Sequence, residues 1–447
     1  MNAGDSVSYW AADAHLPTGC AERVRFTVSG GRFRGVEVGV DGRPGDVRLR
    51  GVVLPGLANV HSHAFHRALR GRTQGNGGTF WTWRQRMYAV AAQLGPDSYL
   101  ALARALYAEM ALAGFTVVGE FHYLHHGRGG VPYADPNAMG RALIEAAADA
   151  GIRLTLLDTC YLHGGLEGAG HLPLDGTQTR FGDGSVDGWA ERVALLADTD
   201  EARIGAAAHS VRAVSEAELR RLAELRGRRP THVHLSEQPA ENRATASRYG
   251  CSPTEMLSRA GLLGPRTTVV HATHLSSADV GALGTTRTAS CFCPTTERDL
   301  ADGIGPARDL ADAGSPLCLG SDQHAVVDPF EELRGLEMHE RLRTGERGRF
   351  TPAELVTAAS AAGYASLGWP DGGRVEIGAL ADFVVVRNDT VRTAGCAAGQ
   401  IGYAATAADV DRVVVGGRCV VSGGEHVLGA VGPMMSTALA ALAGGLR

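Results

Sequence analysis

Eight short apolar runs, alternating with alanine- and leucine-rich stretches of helical period, constrain this chain more than any other feature of its sequence. The runs occupy residues 57–61, 116–121, 153–159, 204–209, 231–235, 267–271, 288–293 and 316–320. Residues 96–113, 136–150, 215–226 and 253–260 lie between them and carry apolar positions at helical spacing. Repeated strand–helix units make a parallel sheet, and eight of them fit a closed (β/α)8 barrel of the TIM type better than an open sheet.

The ends of the chain have a different texture. Val24-Arg25-Phe26-Thr27-Val28 and Val36-Glu37-Val38 near the start are separated by glycine-rich turns, as are Ala381-Asp382-Phe383-Val384-Val385-Val386 and Arg412-Val413-Val414-Val415 near the finish. At 447 residues the chain is too long for one compact core. The expected organisation is α/β: a barrel over residues 55–372 and a small β-sandwich assembled from residues 1–54 and 373–447.

Composition narrows the chemistry. All 43 basic side chains are arginine, because the chain contains no lysine. A P-loop, a Schiff-base lysine, a Ser-Lys dyad and a carbamylated lysine bridging two metals are thereby excluded. With 48 acidic residues the balance is mildly acidic, and no basic stripe suits nucleic acid. Apolar runs fall far short of the roughly 20 residues that span a bilayer. Residues 1–9 lack a basic start followed by an apolar stretch, so no secretory signal is expected and the cytoplasm is the expected setting. The eight cysteines form no CxxC pair, and Cys291 and Cys293, two apart on a strand, read as small core residues.

Barrel enzymes place their chemistry at the C-terminal ends of the strands. Here five of the eight runs end in polar, titratable residues: His61-Ser62-His63, His209, His234, His271 and Gly320-Ser321-Asp322. A lone histidine is ordinarily a hydrogen-bonded core or surface residue, and His122, His125, His126, His232, His274 and His324 are read that way. Five such ends inside apolar runs each need a partner, and a metal supplies one for all. His61 and His63, two apart, share a face, and with His234 and Asp322 they form a set suited to one Zn2+ with room for water. Iron and manganese suit similar donors. Without lysine the site is expected to be mononuclear, and one zinc ion lowers the pKa of bound water from about 15.7 to about 7. Glu237, three residues past His234, belongs to the loop beyond its strand, where a carboxylate serves as proton shuttle.

These elements, with Leu54-Pro55-Gly56-Leu57, His234-Leu235-Ser236-Glu237 and Val270-His271-Ala272-Thr273-His274, resemble the amidohydrolase superfamily in its single-zinc deaminase branch. Gly378-Ala379-Leu380-Ala381-Asp382-Phe383 resembles the re-entry into that superfamily's β-sandwich. Within the branch, His63-Ala64-Phe65, Phe80-Trp81-Thr82-Trp83-Arg84, Glu120-Phe121-His122-Tyr123, Tyr133-Ala134-Asp135-Pro136 and His209-Ser210-Val211-Arg212-Ala213-Val214 are similar to the N-formimidoyl-L-glutamate deiminase family.

The resemblance implies hydrolysis of an amidine C–N bond, giving N-formyl-L-glutamate and ammonia in histidine degradation. It further implies one zinc on His61, His63, His234 and Asp322, proton transfer by Glu237 and Asp322, and polarisation of the reacting group by His271. Arg84, Tyr123, His209 and Arg212 would hold the small dicarboxylate, for which planar guanidinium forks are apt partners. His66 departs from the glutamine common in the family; either donates to a carboxylate, and histidine would make that contact pH-sensitive. A homodimer is expected, cyclic dimers being the commonest homo-oligomers. Rival readings are another mononuclear zinc deaminase, acting on guanine or an adenosine derivative, and a barrel that has lost catalysis and serves as a scaffold.

Overall fold

The computed structural model describes residues 6–75 and 80–442, with backbone alone for Phe80 and Trp81. Of the segments discussed above, residues 1–5, the side chains of Phe80 and Trp81, and residues 443–447 lie outside what is described. Four strands open the chain: β1 (Val7–Leu16), β2 (Gly19–Ser29), β3 (Arg32–Glu37) and β4 (Val47–Pro55). Then come β5 (Leu57–Ser62), β6 (Phe115–His122) and β7 (Arg153–Cys160), a small hairpin of β8 (Gly165–Glu167) and β9 (Gly170–Leu172), and β10 (Ala202–Ala208). Next are β11 (Thr231–Leu235), β12 (Thr267–His271), β13 (Ala289–Phe292) and β14 (Leu317–Leu319). The chain finishes with β15 (Phe383–Val386), β16 (Val410–Val415), β17 (Arg418–Ser422), β18 (Glu425–His426) and a terminal helix, Val431–Ala440.

Each of the eight apolar runs is a strand of one parallel sheet, in the order β14-β13-β12-β11-β10-β7-β6-β5. Nearly every residue of these strands is buried, as expected where crossover helices cover a parallel sheet. The helix Glu216–Leu225 shows how local sequence sets such a crossover. Ser215 accepts from the Glu218 amide at 3.5 Å, while Glu218 accepts from the Ser215 amide at 2.7 Å, a capping box that fixes where the turn begins.

Backbone bonds close the sheet into a TIM-like barrel between its first and last strands. The amides of Ser321 and Asp322 donate to the His61 carbonyl at 3.2 and 2.9 Å, and the His63 amide donates to the Asp322 carbonyl at 3.1 Å. The Asn59 side chain accepts from the Ser321 amide at 2.9 Å and donates to its hydroxyl at 2.7 Å. Gly320 is required at this seam, since a Cβ there would lie 2.8 Å from the Cβ of His61 and 2.9 Å from its amide nitrogen.

The β-rich ends do combine, in one hydrogen-bonded set of eight strands in the order β18-β17-β16-β15-β4-β1-β2-β3. β4 carries N-terminal sequence to the centre, where it pairs antiparallel with β15. Strands of 10 and 11 residues, β1 and β2, have room to coil, so the sheet wraps its own core of Tyr9, Phe26, Phe33 and Phe383. Bonds from the Phe33 amide to Ala379 and from the Gly378 amide to Phe33 tie its far edge back to the chain entering β15. Gly416 and Gly417, both at positive φ, make the tight turn between β16 and β17.

The two sheets are joined through Asp382. Its carboxylate receives two bonds from Arg153 of β7, at 2.8 and 3.2 Å, one from the Tyr364 hydroxyl at 2.7 Å and one from the Gly416 amide at 2.6 Å. Both charged partners are buried. Among the described residues no helix is long and apolar enough to cross a membrane, and all eight cysteines are free thiols. Removing one partner of a buried, hydrogen-bonded ion pair costs about 3–5 kcal/mol. Asp382→Ala is expected to lower the unfolding free energy by that amount in urea denaturation, and Arg153→Met in the same background is expected to restore part of it.

Candidate metal centre and active site

A knot of imidazoles occupies the C-terminal mouth of the barrel. His61 lies on β5, His63 just beyond its end, His234 on β11 and Asp322 three residues past β14. The ring centroids of His61 and His63 are 4.7 Å apart and those of His61 and His234 4.9 Å. Nδ1 of His63 donates to the Phe121 carbonyl and Nδ1 of His234 to the His209 carbonyl, both at 2.9 Å. A carbonyl only accepts, so each bond fixes the proton on Nδ1 and leaves a lone pair on Nε2.

Those lone pairs converge. Nε2 of His234 is 3.0 Å from Nε2 of His61, and Asp322 Oδ1 is 3.4 Å from Nε2 of His63 and 3.5 Å from that of His61. His63 and His234 thus turn Nε2 lone pairs, and Asp322 a carboxylate oxygen, toward the buried ring of His61, a nitrogen and oxygen donor set that fits a metal ion. Burial pushes the pKa of His61 and His234 well below the usual 6.5 and that of His63 to about 3, which keeps the ligands in their neutral, metal-binding form.

Opposite the ligands the electrostatics reverse. His271, at the end of β12, is fully buried, which disfavours its charge, yet Glu237, Glu297 and Asp322 together outweigh that and hold its pKa up at about 10. Its Nε2 lies 3.8 Å from Glu237 and 3.9 Å from Asp322. The backbone bends sharply here, with Ser236, His271, Ala272 and Asp322 all at φ between 42° and 70°, a region non-glycine residues enter at a cost of about 1–3 kcal/mol each.

The cavity above this centre is lined by His63, His66, Arg84, Tyr123, His209, Arg212, His234, Glu237, His271 and Asp322, together with Trp83, Met87, Tyr88, Tyr161, Phe181 and Leu300. Every residue singled out in the sequence therefore lines it except His61, which lies behind it, fully buried. Arg84 enters from the helix Phe80–Ala91, donating to the Tyr88 hydroxyl at 2.5 Å and the Gly164 carbonyl at 3.2 Å. Arg212 is not an open fork. Its Nε donates to Glu241 at 2.7 Å and one terminal nitrogen to Glu237 at 3.5 Å, so a ligand meets only the remaining edge. His66 shares a hydrogen bond with the Tyr123 hydroxyl at 3.0 Å. Burial holds its charged form far below 6.5, so the pH sensitivity expected of it moves out of the neutral range.

The histidines read as structural make local bonds: His324 with Ser62 and Ser321, His232 with the Ser366 carbonyl, His274 with the Asp302 carbonyl, and His126 with Asp183. His122, His125 and Asp158 also lie close enough to hold a metal. Asp158, however, receives two bonds at 2.8 Å from Arg192, which already neutralises it.

Sequence reading missed Tyr161, Gln178, Glu241 and Glu297. Tyr161 directly follows the third strand, whose apolar run was read only as far as residue 159. Gln178 donates to the hydroxyls of Tyr88 and Tyr161 and to the Gly164 carbonyl, bracing the surroundings of Arg84. Glu241 sits in the first turn of the helix Pro239–Tyr249, whose opening proline was a usable signal, and accepts from the Ser236 amide at 2.7 Å.

The buried histidines predict a pH profile for the metal-free protein. Below 6.5 the unfolded chain takes up protons that native His61, His63, His66 and His234 refuse, so stability falls as pH drops from about 6.5 towards 3. His271 acts in reverse: its contribution is complete below 6.5 and is lost as pH rises towards 10. Urea midpoints measured with chelator present are expected to peak between these limits and to fall steeply on the acid side.

Comparison with known proteins agrees with this geometry. A family model for the amidohydrolase family matches residues 52–420. A formimidoylglutamate deiminase from Pseudomonas aeruginosa is 37% identical over 436 residues, covering 93% of this chain and 95% of its own. An 8-oxoguanine deaminase from the same organism is 30% identical and covers 82% of each chain. The crystal structure of an amidohydrolase from Brucella melitensis superposes with a TM-score of 0.89 at 33% identity, covering 98% of this chain and all of the other. The chain belongs to the amidohydrolase family and is a hydrolase of the deiminase and deaminase type, acting on a C–N bond.

Proposed function

We propose that this enzyme is a zinc-dependent deiminase that hydrolyses N-formimidoyl-L-glutamate to N-formyl-L-glutamate and ammonia, a step of histidine degradation. The observation that carries the reading is the pairing of two arginines with the metal centre: Arg84 and Arg212 line the same cavity as His63, His234 and Asp322. Guanidinium groups suit a dianionic substrate, and the 37% identical relative is a formimidoylglutamate deiminase. A homodimer in the cytoplasm completes the proposal.

His61, His63, His234 and Asp322 would hold the ion, which supplies a water acidic enough to lose a proton near neutrality. Asp322 would accept one proton of the attacking water as its oxygen bonds to the formimino carbon. His271, charged and facing the cavity through Nε2, steadies the substrate group as the carbon becomes tetrahedral. Glu237 would deliver one proton to the imino nitrogen; on collapse the hydroxyl proton would return to Glu237 and the proton on Asp322 would pass to the same nitrogen, so that the C–N bond breaks, C=O forms, ammonia leaves and both carboxyl groups are restored. Arg84, Tyr123, His209, His66 and the open edge of Arg212 orient the glutamate part.

A second reading, deamination of a purine ring, is favoured by the 8-oxoguanine deaminase relative and by the aromatic rings of Trp83, Tyr161 and Phe181 in the cavity wall. Metal analysis of the purified protein, with an ammonia-release panel of N-formimidoyl-L-glutamate, guanine, 8-oxoguanine and adenosine derivatives, separates the two. About one zinc per chain and ammonia from the formimino compound are expected; ammonia from a purine alone would reverse the assignment.

Arg84→Ala is the cleaner specificity variant, because Arg212 also pairs with Glu237. Loss of a charge-assisted bond worth about 1.5–3 kcal/mol is expected to cut kcat/KM for the dicarboxylate roughly 10- to 150-fold. Asp322→Asn that keeps its metal and full activity would refute the proton role given to Asp322.

A further inference from the structure

Glu297 has no part in the reaction as described so far, yet its carboxylate faces the Nδ1 edge of His271. It lies in the helix Pro294–Asp299 that follows β13, and its side chain is 2% exposed. Oε1 accepts from the Cys293 amide at 2.8 Å and stands 3.6 Å from Nδ1 of His271. Among the described residues no arginine forms an ion pair with this carboxylate; the basic side chain within 4 Å of it is His271, with His339 farther away.

The ring of His271 is therefore flanked at both nitrogens. Nδ1 meets Glu297, while Nε2 meets Glu237 and Asp322. Left-handed backbone at His271 and Ala272, held by the bond from the Ala272 amide to the Leu235 carbonyl, swings the ring off the strand direction. An imidazole in that position has two orientations, related by a flip about its Cβ–Cγ bond. A carboxylate beside Nδ1 favours the orientation that points an N–H, rather than a C–H, toward it.

We propose that Glu297 is the positioning residue of His271: it accepts from Nδ1–H, fixes which ring nitrogen faces the cavity and keeps Nε2–H directed at the reacting group. The inference rests on the reading that His271 acts on the substrate. It does not depend on which amidine or purine that substrate is. The simpler alternative is that Glu297 only supports its own helix, through the Cys293 amide.

Two variants separate these roles. Glu297→Gln keeps an oxygen for both donors and removes the charge, whereas Glu297→Leu removes the acceptor. Each would be purified, metal-loaded and assayed per folded, metal-containing chain on whichever compound releases ammonia in the panel, alongside nitrogen-15 spectra of histidine-labelled protein without substrate. In Glu297→Leu, kcat is expected to fall by about 10²-fold or more with KM within about twofold, and the His271 Nδ1 signal to lose its hydrogen-bonded proton. In Glu297→Gln that proton is expected to remain while kcat falls by roughly tenfold.

A role confined to the helix would lower the melting temperature of Glu297→Leu and leave kcat and the His271 nitrogen signals unchanged; that result overturns the proposal. Should Glu297→Leu fail to fold, Glu297→Gln with wild-type kcat and unaltered His271 signals overturns it equally. Because the spectra need no substrate, a wrong substrate assignment and a wrong role for Glu297 give different results.

Discussion

The seam between β5 and the segment after β14 is the contact on which the rest of the molecule depends. Its backbone bonds convert an eight-stranded sheet into a barrel, and the same bonds bring His61, His63 and Asp322 together from positions about 260 residues apart in sequence. Gly320 permits the approach and Asn59 supplies the side-chain bonds that hold it. A defect there would open the barrel and scatter the ligands at once, so fold and chemistry share one set of hydrogen bonds.

From that seam the centre divides into two electrostatic halves. On one side, burial keeps His61, His63 and His234 neutral, and carbonyl partners turn the Nε2 lone pairs of His63 and His234 inward. On the other, carboxylates outweigh burial and keep His271 charged. The same side chain serves as ligand or as hydrogen-bond donor according to its neighbours. Arg212 shows the same economy, joining Glu237 of the cavity wall to Glu241 behind it.

Much of this was legible beforehand because it follows from period and position. Apolar runs of strand length disclosed all eight barrel strands, and residues at their ends disclosed the side chains that line the barrel mouth. What stayed hidden lacks periodicity. The coiling of the terminal strands into a single sheet depends on length and twist, which alternation does not encode. Gln178, Glu241 and Glu297 act through partners on other elements or across a turn, and a carboxylate opening a helix looks the same in sequence whether it caps that helix or faces a histidine. Arg212 was identified as a residue of the rim, but its engagement by two carboxylates appears only once the strands are assembled.

The sheet at the chain ends carries a consequence for how the protein is made. β4 and β15 are hydrogen-bonded neighbours at its centre, yet more than 300 residues separate them along the chain. During synthesis the first four strands must wait for the whole barrel to emerge, with the edge of β4 unpaired for tens of seconds at about 5–20 residues per second. The barrel in turn cannot close until β14 arrives. The terminal sheet is thus completed only after the whole barrel has been made, and a ribosome that stalls before residue 383 releases a chain with an open strand edge, suited to aggregation and to chaperone capture.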